Sequence, residues 1–186
     1  MSASFLQSAH GLVGIEYGHF HVESRGLLEP PRPAFADGPV LSVVDDAFAV
    51  RTKSSFTRYA LVQIESWSGE PDGEASDECV VHFSDPSIAA RAVMAPGPET
   101  GTLELPAPGT YRVRVHRWGA EAVEQLMDTY PDAPIHRVEH VVLRLWPTDE
   151  PARPREAPSS ELGKQRGLLD EWARATTTGF PSSPAS

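Results

Sequence analysis

Cysteine, lysine and long apolar runs are all scarce in this sequence. A single cysteine among 186 residues excludes an internal disulfide framework and a cysteine-rich zinc site. No stretch approaches the roughly 20 apolar residues that a membrane-spanning helix needs. The segment from Met1 to Gly14 has neither a basic start nor a sustained apolar core, so we expect no secretory signal. These absences predict a soluble, cytoplasmic protein.

Acidic residues outnumber basic residues in this sequence. The chain has 26 acidic and 16 basic residues, a formal net charge of −10, and only two of the basic residues are lysines. Up to Trp146 there are 20 acidic and 11 basic residues, so this part carries nearly all of the excess. Nucleic acid is itself densely negative, which argues against its direct binding. The same field attracts a basic protein partner, although net charge of this size also keeps a protein soluble without any partner.

Short segments of alternating apolar and polar residues follow one another as far as Trp146. A period of two is typical of β-strands, and the Gly, Pro and Asp residues between the segments favour turns. About seven such strands predict an all-β fold, an antiparallel β-sandwich of Greek-key type. The predicted strand regions are Ile15–Val22, Val40–Val50 with an interruption at Asp45-Asp46, Arg58–Trp67, Cys79–Phe83, Thr102–Leu105, Thr110–Trp118 and His136–Trp146.

The turn before the sixth predicted strand contains a further signature of the fold. Pro106–Gly109 is followed within two residues by Tyr111. A tyrosine at this position can direct its hydroxyl to the backbone of the turn, as in the tyrosine corner of Greek-key sandwiches. The motif supports the fold and carries no information on activity.

Two segments have helical spacing, and they set the domain organisation. Ala120–Tyr130 places apolar residues on one face with acidic residues opposite, which predicts a helix packed on a sandwich edge. At roughly 100 to 200 residues per domain, the length allows one domain with appendages. We predict a β-sandwich domain over residues 1–146, a proline-rich linker over 147–159, and a C-terminal helix with a flexible tail over 160–186.

A possible metal-binding pattern lies in the first predicted strand. His19 and His21 are two residues apart, and Glu23 continues the same face, an arrangement that can bind a divalent metal as in cupin-like enzymes. The cupin pattern also needs a histidine soon after a glycine-rich turn, whereas His116 comes seven residues after Gly109. The sequence has no nucleophile elbow, phosphate loop or His-Glu-x-x-His motif. We therefore predict no catalytic residue, no metal ligand and no cofactor, with a small metal-dependent cupin-like enzyme as the alternative.

The segment from residue 65 to residue 78 is acidic throughout. It contains six carboxylates and no lysine or arginine, and its glycines and proline favour a loop that projects into solvent. One interpretation is a solvated loop without a role, and the other is a docking surface for a basic protein. The second interpretation predicts these partner-binding residues: Glu65, Trp67, Glu70, Asp72, Glu74, Asp77 and Glu78.

Several segments together resemble a known family. Ile15–Val22 and Asp46–Thr52 are similar to the early strands of competence protein J. Tyr59–Ile64 and Leu105–Val113 continue the similarity, which spans Ile15 to Trp118. The resemblance implies a compact β-sandwich that binds and inhibits a DNA-entry nuclease, with likeness to immunity proteins against secreted nuclease toxins. It implies no particular set of inhibitory residues.

Two functions from different classes follow from these patterns. As a binding module, the protein would present its acidic loop to the basic cleft of a nuclease or toxin, with Trp67 or Trp118 adding apolar contact. As an enzyme, it would use a metal held by His19, His21 and Glu23. The function that we predict is the binding module, an inhibitor or immunity-type protein. Neither the identity of the partner nor the oligomeric state follows from the sequence.

Overall fold

Ten strands and one helix make up the part of the chain that the structure describes. The structure is a computed structural model, and it describes residues 3–25, 27, 39–44, 46–53, 57–93, 97–129 and 139–153. The elements in chain order are β1 (Phe5–Gly14), β2 (His19–Ser24), β3 (Leu41–Val44), β4 (Ala47–Arg51), β5 (Tyr59–Trp67), β6 (Asp77–Phe83), β7 (Ser87–Arg91), β8 (Leu103–Glu104), β9 (Gly109–Trp118), α1 (Ala120–Thr129) and β10 (Glu139–Pro147).

The strands form two five-stranded sheets. Sheet A has the order β1-β5-β10-β9-β6, and sheet B has the order β3-β4-β2-β7-β8. Neighbouring strands are antiparallel except β5 and β10, which run parallel. Because β1 and β2 lie in different sheets, as do β6 and β7, the chain crosses repeatedly between the two layers. The predicted all-β sandwich is confirmed, with one parallel pair in its otherwise antiparallel order.

Alternate side chains of the two sheets meet in one apolar core. On β5, Ala60, Val62 and Ile64 are fully buried, whereas Tyr59 lies on the other face and is 42% exposed. Burying an apolar side chain of this kind stabilises the fold by about 1.5–3 kcal/mol relative to leaving it in water. The largest fully buried apolar side chains are those of Phe20, Phe48, Phe83, Leu41, Ile64, Ile88, Leu103, Leu143 and Leu145.

The alternation pattern misses two strands. β1 is an edge strand whose buried apolar side chains are the small ones of Ala9 and Val13, so its sequence has little strand-like contrast. β7 has only five residues and begins four residues after β6 ends. The interruption predicted in Val40–Val50 is confirmed, because the region divides into β3 and β4 around Asp46, which has a positive φ of 58°. The seven predicted regions are therefore too few for the ten strands of the described residues.

The predicted start of the first strand region is wrong. β2 begins at His19, and a backbone bridge joins Glu16 to His19 across a two-residue turn. Tyr17 and Gly18 in this turn have φ angles of 53° and 76°. Two central residues with positive φ define the tight turn that suits a β-hairpin. The turn geometry therefore overrides the alternating pattern that extends over Ile15–Val22.

Two local predictions for the second half of the sandwich are confirmed. The hydroxyl of Tyr111 donates a hydrogen bond to the carbonyl oxygen of Ala107 at 2.7 Å, so the tyrosine corner is present. The helix predicted over Ala120–Tyr130 is α1, which buries Ala120 and Val123. No helix in the described residues is long and apolar enough to cross a membrane. The predicted linker and tail continue past residue 153 and so lie largely outside the described residues, and the domain boundaries stay predictions.

Both sides of the sandwich are held by contacts between the layers. On one side, the amide of Gly14 on β1 donates to the carbonyl of Pro98 at 3.3 Å. Close approach here needs a glycine, because a Cβ atom at Gly11 would lie 2.7 Å from the carbonyl oxygen of Glu99. On the other side, the amide of Leu41 donates to the Asp77 carboxylate at 3.0 Å and joins β3 to β6.

Candidate protein-binding surface

A row of four charged residues crosses the outer face of sheet A, the face turned away from the core. Glu65 on β5 lies opposite Arg144 on β10. Arg144 lies opposite Arg114 on β9, which in turn lies opposite Glu78 on β6. The Nε atom of Arg144 is 3.1 Å from the Glu65 carboxylate, and that of Arg114 is 2.5 Å from the Glu78 carboxylate. We call these four residues the charged row, and it neutralises two of the six predicted carboxylates.

The predicted acidic loop is the connection between β5 and β6, and it folds back over the charged row. Nη1 of Arg114 donates to the carbonyl oxygen of Pro71 at 2.7 Å, and Nη1 of Arg144 donates to that of Asp72 at 2.9 Å. Arg114 also forms an ion pair with Glu70 at 2.7 Å. Two arginines therefore fix the loop against the sheet, and the expectation of a freely projecting loop does not hold.

Gly73 permits this close packing of the loop. Its φ of 129° lies in the region that only glycine adopts readily. A Cβ atom at this position would lie 2.7 Å from Nη1 of Arg144. A larger residue in place of Gly73 would strain the backbone, and the tip of the Arg144 side chain would have to shift to make room for it.

Two of the predicted partner-binding residues are occupied by contacts within the fold. The Asp77 carboxylate accepts hydrogen bonds from the amide of Leu41 at 3.0 Å and from the amide of Glu78 at 2.9 Å. The indole N–H of Trp67 donates to the Glu65 carboxylate at 3.0 Å, and its ring packs edge-on against Phe5 with centroids 5.6 Å apart. These side chains serve the fold in this structure, and their contribution to partner binding stays a prediction.

Asp72 and Glu74 are the predicted residues whose carboxylates remain in solvent. Both side chains are exposed, and neither carboxylate has an ion pair or hydrogen bond with any part of the chain that the structure describes. Glu70 is 62% exposed despite its ion pair, and Glu150, which pairs with Arg112, is 54% exposed. We call Glu70, Asp72, Glu74 and Glu150 the acidic rim. It is a negative surface on a loop and a strand end, and part of its charge is offset by the arginines beneath.

A second row on the outer face of sheet A is apolar and exposed. Leu12 on β1 lies opposite Leu61 on β5, which lies opposite His140 on β10. His140 lies opposite Trp118 on β9, and their rings stack with centroids 5.3 Å apart and 12° between the planes. Leu12 is 47% exposed and Trp118 is 44% exposed. We call these four residues the aromatic row.

One row of intermediate polarity separates the aromatic row from the charged row. Its members are one alternation step from each, which places the aromatic and charged rows roughly 13 Å apart along the strands. The intermediate row consists of His10, Gln63, Val142 and His116. The acidic rim and the aromatic row therefore lie on one continuous face. Sequence reasoning singles out only Trp118 from the aromatic row, because the row exists only once four strands are aligned.

The candidate metal ligands lie on the outer face of sheet B. His19, His21 and Glu23 are all buried, and the two imidazole rings have centroids 5.4 Å apart. The Glu23 carboxylate pairs with Arg91 at 3.4 Å. Within the described ranges, no group of three or more His, Cys, Asp and Glu side chains could hold a metal ion. These three residues therefore do not form the metal site that the cupin-like alternative needs.

Burial governs the ionisation of these three groups. Desolvation, together with a smaller effect of the nearby His19, lowers the pKa of His21 to about 4. Desolvation also lowers the pKa of His19, against the raising effect of its hydrogen bond to the Tyr17 carbonyl. The pKa of Glu23 is raised by burial, which Arg91 partly offsets. Both imidazoles are therefore neutral at pH 7.

The fold places this chain in the class of two-layer all-β sandwich proteins, with two five-stranded sheets. Within that class the chain is similar to the crystal structure of ComJ from Bacillus subtilis, described as an inhibitor of the DNA-degrading activity of NucA. The identity is 15%, the TM-score is 0.52, and the match covers 80% of this chain and 100% of ComJ. This likeness shows the fold and agrees with the family resemblance found in the sequence segments.

A second solved structure is also similar, with a lower score. It is described as crocagin biosynthetic gene J, with 13% identity and a TM-score of 0.44, and the match covers 79% of this chain and 99% of that one. No family model matches the chain, and no curated protein sequence matches it.

Proposed function

We propose that the protein binds and inhibits a nuclease, with a basic surface of the nuclease docking on the acidic rim. The observation that carries the proposal is the fixed acidic loop. Hydrogen bonds from Arg114 and Arg144 to the carbonyl oxygens of Pro71 and Asp72 hold the backbone of the loop that carries Asp72 and Glu74 before any partner arrives. A loop whose backbone is already ordered loses little conformational entropy on binding. Carboxylates on such a loop can occupy the sites where a nuclease holds DNA phosphates with lysine and arginine.

The class of partner is supported by the fold and by the charge. ComJ is described as an inhibitor of a nuclease, and its whole length matches this chain. The net charge of −10 favours encounter with a basic protein and disfavours nucleic acid itself. A secreted nuclease toxin with an immunity-type inhibitor is one form of such a pair. We propose that the protein acts in the cytoplasm, a location that the presence of a single cysteine in the sequence supports.

Inhibition is tested directly by DNA degradation. The panel contains NucA from Bacillus subtilis and any nuclease that is found to be encoded beside this chain's own gene. We expect an equimolar amount of the protein to protect linear DNA from at least one of these nucleases, and to form a 1:1 complex with it. Undiminished degradation by every member of the panel at a tenfold molar excess of the protein would overturn the proposed function.

Charge reversal in the acidic rim should slow complex formation. We expect Asp72→Lys to reduce the association rate with the inhibited nuclease by roughly three- to tenfold at low salt, because steering by opposite charges speeds encounter. Dissociation should change less. The difference should shrink as sodium chloride rises from about 50 mM to 500 mM, because salt screens exposed charges. Stopped-flow measurement of the association rate across this salt range checks the prediction.

Glu104→Lys is the matched control for this variant. It makes the same change in net charge at an exposed position on β8, the edge strand of sheet B. Glu104 accepts a hydrogen bond from the Ser87 hydroxyl at 2.7 Å and lies in the other sheet from the acidic rim. We expect the control to keep the association rate within about twofold of the original protein. Equal slowing by both variants would mean that net charge alone matters, and would contradict a role for the acidic rim.

A further inference from the structure

The aromatic row is an exposed apolar feature on the same face as the acidic rim. Leu12 and Trp118 are nearly half exposed, and Tyr59, two residues from Leu61 on the same face of β5, is 42% exposed. Monomeric proteins rarely expose contiguous apolar patches without an interaction role, whereas singly scattered apolar residues are common. The three strand-to-strand registers show that the four side chains of the aromatic row are neighbours, so this is a patch.

Trp118 is held in one orientation by its neighbours. Its ring stacks on His140 of β10, and the His116 ring on its own strand lies 5.3 Å away at an angle of 42°. Both supports belong to sheet A, so the ring sits on strands and not on a mobile loop. An oriented aromatic ring loses little rotamer entropy when a partner covers it. Tryptophan and tyrosine are also the side chains that most often carry the binding energy of protein interfaces.

Resting on the proposed function, we infer that the aromatic row is the anchor of the nuclease interface. The partner would have an apolar pocket for Trp118 beside the basic surface that meets the acidic rim. Charge complementarity selects this partner over other proteins, because the loop that carries most of the acidic rim contacts the charged row, and that row is roughly 13 Å from the aromatic row. A stable interface buries about 800 Å² on each partner, which is enough to cover both features.

The charged row, which lies beneath the acidic loop, fits this arrangement. Its arginines and glutamates already pair with one another, at 3.1 Å for Arg144 with Glu65 and at 2.5 Å for Arg114 with Glu78. A partner that covers the charged row buries charges that are already paired with one another. The partner therefore need not supply counter-charges of its own. The rim would then set the association rate and the aromatic row the lifetime of the complex.

The test separates these two rates. The probe is the nuclease of the panel that the original protein inhibits most strongly, immobilised at low density for binding kinetics. We expect Trp118→Ala to speed dissociation at least about tenfold and to leave association within about twofold. Trp118→Phe, which retains a ring to stack on His140, should keep most of the lifetime. Leu12→Ser, on another strand of the row, should speed dissociation several-fold.

Tyr17→Ala is the matched control. Tyr17 is 76% exposed and lies in the turn between β1 and β2, outside the aromatic row. Its loss should leave both rates unchanged. Thermal unfolding of each variant shows whether the fold is retained, and the effect of Leu12→Ser gives an independent reading if Trp118→Ala is unstable.

The outcomes distinguish this inference from the proposed function. If the original protein inhibits the nuclease and both Trp118→Ala and Leu12→Ser dissociate at the original rate, the anchor is overturned and the proposed function stands. If no nuclease of the panel is bound or inhibited, the proposed function fails, and the anchor fails with it. If sedimentation shows a dimer of the free protein that Trp118→Ala abolishes, the aromatic row serves a second copy of the chain, and the inference is also overturned.

Discussion

Lowering the pH from 7 to 4 is expected to destabilise the fold by up to about 3 kcal/mol through His21 alone. The imidazole is 1% exposed, and neither of its nitrogens has a hydrogen-bond partner among the described residues. Its pKa is lowered from 6.5 to about 4 in the folded protein. In the unfolded chain the same group titrates near its ordinary value, so acid protonates the unfolded state first.

The sign follows from this order of protonation. The contribution of His21 is fully present above pH 6.5 and is lost as the pH falls from 6.5 toward 4, at up to about 1.4 kcal/mol per pH unit. His19 acts in the same direction, because its pKa is also lowered. Glu23 acts in the opposite direction, since its raised pKa makes the folded state bind a proton more readily. Arg91, opposite His21 on β7, keeps its charge throughout this range.

Urea unfolding between pH 4 and pH 8, with the original protein and with His21→Leu, isolates the contribution. Leucine has a similar volume and no polar atoms, so the variant should be at least as stable at pH 7, where it removes two buried nitrogens that have no hydrogen-bond partner in the part of the chain that the structure describes. Its free energy of unfolding should also fall less steeply below pH 6.5. An identical pH slope in the two proteins would mean that His21 does not cause the acid sensitivity.

The strands that the sequence predicts well are those with one face in the core and the other in solvent. On β9, Val113 and Val115 are fully buried, whereas Arg112 between Tyr111 and Val113 stays partly exposed, and the pattern is readable at once. β1 is not recognisable from its sequence, because an edge strand with Ala9 as an inward residue buries too little apolar surface to give a clear alternation. Turn geometry with positive φ at Tyr17 is also invisible to an alternation pattern, since tyrosine is a common strand residue.

Some features of the candidate site follow from residues that are close in the chain, and others depend on contacts between distant residues. The acidic segment is visible in the sequence because its carboxylates are close neighbours in the chain. The partial neutralisation of this segment is not visible in the sequence. Arg114 and Arg144 come about 40 and 70 residues later, and they contact the loop only because of the strand order of sheet A. The parallel pairing of β5 with β10 decides which residues share a row, and no local pattern encodes it. The alternation pattern does predict that Arg112 and Arg114 point outward from the sheet. This is the one feature of the sequence that indicates arginines near the acidic loop.

Glu139, the first residue of β10, is a buried acid that joins distant parts of the fold. It is 0% exposed, and its carboxylate accepts hydrogen bonds from the amide of Lys53 at 2.7 and 3.0 Å and from the hydroxyl of Thr57 at 3.2 Å. Burial lowers the pKa of Arg117, and the negative charge of Glu139 partly offsets that effect. The carboxylate thus joins Lys53 and Thr57 to the start of β10 and supplies a counter-charge to a half-buried arginine.

Glu139→Ala is expected to destabilise the protein by about 3 kcal/mol, because it leaves the Lys53 amide and the Thr57 hydroxyl without this acceptor and the half-buried Arg117 guanidinium without this nearby counter-charge. The loss should be local as well as global: amide exchange at Lys53 should speed up, and the start of β10 beside His140 of the aromatic row should loosen. Urea unfolding and amide hydrogen exchange measure the two effects. Glu150→Ala removes an acid that is 54% exposed and pairs with Arg112, so it should cost only about 0–1 kcal/mol. Equal losses in the two variants would show that Glu139 stabilises the fold no more than a surface ion pair does.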